Sequence, residues 1–191
     1  KANVILCGST SSTNLPTTPS SDQPVYGGNW DIYVAKFDSG GSHLWSTYYG
    51  SNLFEFFPRT AVDGSDNIYV LSEVEDTINT LAVGSCAFQA TFGGGNEDLF
   101  ILKYDSTGKR ICDTYLGGSA EDELDWASGG IKCYKGFIYV GANTQGSGYP
   151  VTPGAFQGIY GGGTSDITLV KICGSNCGDN SVLNPVFSAS D

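Results

Sequence analysis

Histidine occurs once in these 191 residues, at His43, and basic residues are scarce: nine Lys and Arg stand against 20 Asp and Glu, a formal net charge of −11. A single imidazole cannot build a histidine-rich metal site. Catalysis by an activated Ser or Cys needs a His beside the nucleophile and an orienting acid, and no G-x-S-x-G turn is present either. The acidic field repels phosphate backbones and anionic lipid, so nucleic acid is excluded as a partner. No apolar run reaches the roughly 18 residues that a membrane helix needs, and no membrane insertion is expected. The opening KANVILCGST lacks the basic-then-apolar plan of a signal peptide and reads as the middle of a strand. The chain is therefore expected to begin inside a larger precursor, with any export signal upstream. Helical periodicity and C-x-x-C pairs are also missing, which argues against helical folds and compact zinc knuckles.

What is present is glycine (27 residues), aromatics (10 Phe, 11 Tyr, 3 Trp) and repetition. Val151 to Lys171 reads VTPGAFQGIYGGGTSDITLVK, and Val83 to Lys103 reads VGSCAFQATFGGGNEDLFILK. The motif DIYVAK at 31–36 returns as DLFILK at 98–103 and DITLVK at 166–171, at intervals of 67 and 68 residues. STYYG at 46–50 matches DTYLG at 113–117, again 67 apart. The chain is close to three copies of one unit, and such periods mark repeat architectures.

Read from Tyr26, one unit holds an apolar run (IYVAKF), a DSGG turn, a second run (HLWSTYY), a polar loop, a run ending in AVD, a GSDN turn and a further run (IYVLSEV). Four β-rich runs between Gly, Asn and Asp turns predict a small antiparallel meander, one sheet per unit. Ile32 to Phe37 and Leu99 to Tyr104 are apolar at nearly every position, as suits strands covered on both faces by neighbouring sheets. A β-solenoid repeats in about 20–30 residues and an immunoglobulin-like array in about 100, so the period favours propeller blades. The expected fold is an all-β propeller fragment of about three four-stranded antiparallel blades. Its parts are the end of a first blade and a crossing (1–25), a second blade (26–91), a third blade (92–159), and the first strand of a next blade with a terminal tail (160–191). The Pro, Thr and Ser-rich stretches STNLPTTPSSDQP and TQGSGYPVTPGAFQ read as crossings between blades. Three blades do not close a ring, since propellers have roughly four to eight. The remaining blades of the same protein, or another chain, are expected to cover the open faces.

The series GGNWDIYVAKFDSGGSHLWSTYYG, AVDGSDNIYV and VTPGAFQGIYGGG resembles the bacterial beta-propeller repeat called SBBP, found in large exported proteins, often of Bacteroidetes. The resemblance runs to about Lys171. It implies a ring of perhaps seven blades, secretion or surface display, and no established catalytic activity. It also allows association with surface secretion or gliding machinery. The chain departs from the family pattern at FEFFPR (54–59), at SGGIKCYKG (128–136) and in the tail after Ile172.

Several residues suggest chemistry. Asp31, Asp98 and Asp166, with Lys36, Lys103 and Lys171, have the look of proton-transfer pairs, but they recur once per unit. An active site is needed once and a strand-end hydrogen bond in every blade, so they read as structural: Asp capping N–H groups near the Gly pair, Lys at the wet rim. Asp63, Gly64, Ser65, Asp66 and Asn67 resemble the start of a calcium loop but read as a hairpin turn. The non-repeated acidic run offers Glu121, Asp122 and Asp125, beside Glu123, for a cation or partner; no cofactor is expected unless calcium binds there. Phe54, Phe56, Phe57 and Trp126 form a candidate contact surface.

Six cysteines allow fifteen pairings if all are joined. Cys112 with Cys133, on strands expected to be adjacent, and Cys173 with Cys177, around CGSNC, are the expected disulfides. Cys7 and Cys86 are left, either as a third pair or with Cys7 a buried thiol. The expected function is non-enzymatic: an exported scaffold, or protein-recognition and adhesion surface, at the bacterial cell surface. Alternatives are a glycan-binding propeller using Trp30, Trp126 or Tyr149, and a carboxylate-dependent hydrolase or lyase.

Overall fold

A computed structural model describes residues 3–124 and 129–173, and the backbone of a short strand at 183–184. The described residues contain strands and no helix. In chain order the strands are β1 (Val4–Thr10), β2 (Asp31–Phe37), β3 (His43–Tyr49), β4 (Phe54–Val62), β5 (Ile68–Glu75), β6 (Asp98–Tyr104), β7 (Arg110–Leu116), β8 (Asp122–Glu123), β9 (Gly130–Tyr134), β10 (Phe137–Thr144), β11 (Asp166–Cys173) and β12 (Leu183–Asn184). They form three sheets. The first has the order β1-β2-β3, the middle β4-β5-β6-β7, and the third β12-β11-β10-β8 with β9 also paired to β10. All pairings within these sheets are antiparallel.

The sheets are stacked, and strand periodicity shows how. Side chains alternate between faces along a strand. On the middle sheet Ile68, Val70, Phe100, Leu102 and Tyr104 join Ile32, Val34, Trp45 and Tyr49 of the first sheet in one core. Their neighbours Tyr69, Leu71, Leu99 and Ile101 join Ile138, Val140, Val170 and Ile172 of the third sheet in another. Every residue of β6 is buried as a result. Each fully buried Leu, Ile or Phe contributes about 1.5–3 kcal/mol, so both faces of β6 stabilise the stack. The outer face of the first sheet carries Tyr33, Ala35 and Tyr48, packed with Leu15, Tyr26 and Phe37. β4 lies against β1 on one side and β9 on the other.

The structure corrects the expectation that each unit makes its own sheet. β3 and β4 belong to one unit but lie in different sheets, while β5 of one unit pairs with β6 of the next. The long Pro, Thr and Ser-rich stretches therefore connect strands within a sheet, and the short segments 50–53 and 117–121 pass from sheet to sheet. Distance explains the reversal. Stacked sheets lie about 10 Å apart, and four extended residues span about 13 Å. The long connection at 76–97 instead lays Leu81, Val83 and Phe92 into the core between the first and middle sheets.

Candidate functional site

Asp31, Asp98 and Asp166 open β2, β6 and β11, and each accepts N–H groups from the glycines just upstream. Asp31 accepts from Gly27 N (2.8 Å) and Gly28 N (3.3 Å), Asp98 from Gly93 N (2.5 Å), and Asp166 from Gly161 N. A glutamine completes the knot in each unit. Gln23 Nε2 donates to Val25 O (3.1 Å), Gln89 Nε2 to Thr91 O (3.1 Å) and Gln157 Nε2 to Ile159 O (3.0 Å). In two units the same glutamine also receives the peptide N–H of Gly50 or Gly117, both at 3.1 Å. These aspartates thus tie the entry of a strand to its preceding turn.

Two of the three lysines stand elsewhere than expected. Lys36 and Lys103 are buried, not on a wet rim, because their strands are covered by the next sheet. Lys36 Nζ donates to Ser106 O (3.0 Å) across that junction, where Trp45 Nε1 donates to the same carbonyl (3.3 Å). Lys103 lies over the Tyr69 ring at 5.2 Å, and Lys171 over Phe137 at 3.9 Å.

Asp63 folds back on its own loop. It accepts from Ser65 N (2.8 Å), Asn67 N (3.0 Å) and Asn67 Nδ2 (2.8 Å), closing the β4–β5 hairpin. Asp38 and Asp105 do the same in the β2–β3 and β6–β7 hairpins. At Asp63 these hydrogen bonds outweigh burial and hold the carboxyl below its ordinary range. The side chain is committed to the turn.

Of the acidic run, Glu121 and Glu123 meet Glu97, with one oxygen of each within 4.8 Å of the others. Asn96 Nδ2 donates to Glu121 (3.3 Å) and Gln145 Nε2 to Glu123 (2.9 Å), so amide donors already address the group. Buried Glu73 lies beside them and accepts from Leu124 N. Burial raises it to about 7, with repulsion from Glu97 and Glu123 added and the Leu124 peptide opposing. Asp122 does not join this rim: it is buried and accepts from Gly118 N (2.6 Å). Asp125 and Trp126 lie outside the described residues.

The aromatic candidates adjoin the acids. Phe54 and Phe56 stack at 5.2 Å, Phe57 follows at 5.9 Å from Phe56, and Phe57 packs against the core between the middle and third sheets. Phe54 and Phe56 stand opposite Glu75 and Glu73 across the β4–β5 ladder. Trp30, 43% exposed, bridges to Phe54. Trp30, Phe54 and Phe56 occupy the positions that Glu97, Glu121 and Glu123 hold one unit later. Glu55 N donates to Trp30 O (2.8 Å) as Asp122 N donates to Glu97 O (2.9 Å). His43 Nε2 lies 2.9 Å from Ser46 Oγ, but Ser46 is fully buried and its hydroxyl donates to Pro16 O (2.6 Å).

The expected Cys112–Cys133 disulfide is not formed. Cys112 is bonded to Cys86, with Cα atoms 5.8 Å apart. Cys112 on β7 and Cys133 on β9 lie in different sheets, whereas the long connection carries Cys86 to the edge of β7. Cys133 is a free thiol that burial raises to about 11. Cys7 is also free, and burial raises it to about 12. The Cys173–Cys177 pairing falls on Cys177, outside the described residues.

A buried acid stands opposite each of two strand-opening aspartates; sequence reasoning missed Glu55 and read Asp122 as a cation or partner candidate instead. Glu55 faces Asp31, and Asp122 faces Asp98, with all four side chains buried. The signal was legible: an acid stands five residues after Gly50 and five after Gly117, 67 residues apart. No family model matches the chain, and no curated protein matches it.

Proposed function

We propose that the three sheets are successive blades of an exported β-propeller, and that the chain acts without catalysis as a scaffold and recognition surface at a bacterial cell surface. One observation carries this reading. Ile32 and Val34 of β2 pack on the middle sheet, Leu99 and Ile101 hold the same positions on β6 and pack on the third, and Ile167 and Leu169 hold them again on β11. Val170 and Ile172 face inward, so Ile167, 55% exposed, and Leu169 face the opposite way. A face built to repeat a sheet junction calls for a further sheet, supplied by the same protein or another chain.

Recognition belongs to the rim, where fixed backbone positions carry Trp30, Phe54 and Phe56 in one unit and Glu97, Glu121 and Glu123 in the next. Such a surface varies its chemistry without altering its frame. The Cys86–Cys112 disulfide suits an oxidising, exported setting. No described helix is long and apolar enough to cross a membrane. For glycan binding, Trp30 stands exposed, but Tyr149 is buried.

Sedimentation velocity tests the open face. The chain is expected to self-associate as its concentration rises, and Ile167→Glu with Leu169→Glu is expected to abolish this while leaving the circular dichroism unchanged. Identical monomeric behaviour of both proteins counts against a sheet-docking face.

A further inference from the structure

At the junction between the first and middle sheets two buried carboxyl groups face each other, and among the described residues neither forms an ion pair. Asp31 enters from β2 and Glu55 from β4, both 0% exposed. They approach across Gly50, where a Cβ would lie 2.4 Å from Glu55 Oε2 and 2.7 Å from Asp31 Oδ1. Only glycine leaves room for that approach.

Hydrogen bonds account for three of the four oxygens. Asp31 Oδ2 accepts from Gly27 N (2.8 Å) and Gln23 Nε2 (3.0 Å), and Oδ1 from Gly28 N (3.3 Å). Glu55 Oε1 accepts from Ser51 N (3.1 Å) and Ser51 Oγ (2.8 Å). Glu55 Oε2 is buried with no partner. A buried acceptor left without a donor is costly, and an ionised one more so. Protonated, that oxygen becomes a donor, and Asp31 Oδ1 borders the same space beside Gly50 as an acceptor. Among the described residues the other titratable groups acting on the pair are Asp76, Tyr26 and Tyr49, none of them cationic.

We infer that Asp31 and Glu55 form a proton-binding site that joins the two sheets, with one proton held between a carboxylic acid and a carboxylate. The proton comes from solvent as the sheets pack and returns to it on unfolding. A hard cation fits less well, since it takes six to eight oxygens and three of the four oxygens here already face N–H and O–H donors. The geometry repeats at the next junction. Asp98 Oδ1 and Asp122 Oδ1 are buried without partners, and a Cβ on Gly117 would lie 2.2 Å from Asp98 Oδ1 and 2.9 Å from Asp122 Oδ2. The inference holds whether or not the sheets belong to a ring.

Burial, and then the charge of Asp31, raises Glu55 to about 8 against the opposing Ser51 hydrogen bonds. Burial also raises Asp31, against its N–H donors. Because the folded values exceed the unfolded carboxyl range of about 4, this stabilisation is complete below about pH 4. It is lost as the pH rises toward about 8.

The test is equilibrium unfolding of the whole chain between pH 5 and pH 8.5 in EDTA, together with a carboxyl-carbon NMR titration of Glu55. One retained proton makes the folding constant fall about tenfold per pH unit from about pH 5 until the pH nears about 8, where the slope flattens. Glu55→Gln, which puts an amide donor in place of the acid, is expected to remove one such tenfold step and to match or exceed the wild type at pH 8.5. Glu55 is expected to ionise well above pH 5. Ionisation near pH 4, or equal slopes in both proteins, overturns the inference. So does calcium stabilising the wild type but not Glu55→Gln at pH 8.5. If the variant does not fold, the wild-type titration decides alone.

Discussion

Asp31, Asp98 and Asp166 were readable as structural because they recur, and the Gly N–H bonds they accept explain why each unit retains both Asp and the Gly pair. Lys36 and Lys103 were misread for a reason at the same scale. Ending a strand suggests solvent, but Lys36 is enclosed by a neighbouring sheet whose Ser106 carbonyl receives its ammonium. Cysteine pairing was the least legible feature, because it depends on which loop reaches which edge. The Cys86–Cys112 bond closes a separation of 26 residues, a length for which the chain-entropy account gives about 3.5 kcal/mol. Cys112→Ser is therefore expected to lose about that much in urea unfolding under non-reducing conditions. Peptide mapping without reduction should join Cys86 to Cys112 and leave Cys133 open to alkylation. A Cys112–Cys133 peptide would refute the assignment.

Strands were legible one by one, since apolar runs between Asp and Gly turns mark their positions, but their assembly into sheets was not. The repeat has no intrinsic starting point, and a period of 67 residues is equally consistent with a sheet made within a unit or across two. The chain resolves this through its connections: four residues suffice to cross between stacked sheets, while the long returns carry side chains into the cores. β6 makes the consequence measurable. Ile101 and Leu102 are adjacent and point to opposite junctions, each with 1% or less of its surface exposed. Ile101→Ala and Leu102→Ala are each expected to cost about 2–5 kcal/mol in denaturant titration. A half-exposed strand would instead show one large loss and one small, and that asymmetry would contradict burial on both faces.

For the whole molecule, composition excluded more than it identified: few basic residues argued against nucleic acid, and the repeat pattern pointed to stacked sheets. The acidic rim required the fold, because Glu97 and Glu121 are 24 positions apart and meet only where β6 begins and the chain enters β8. Phe54 and Phe56 were legible as a contact surface, but their meeting with Trp30 at the same positions one unit earlier required the fold. Function rests on that frame, and the frame rests on the order of the stack. Methyl-labelled NMR tests it most directly. Leu102 is expected to show nuclear Overhauser contacts to Ile32 and Val34, and Ile101 to Ile138, Val140 and Val170. Contacts from both residues to a single sheet, or to neither, would contradict the stacked arrangement.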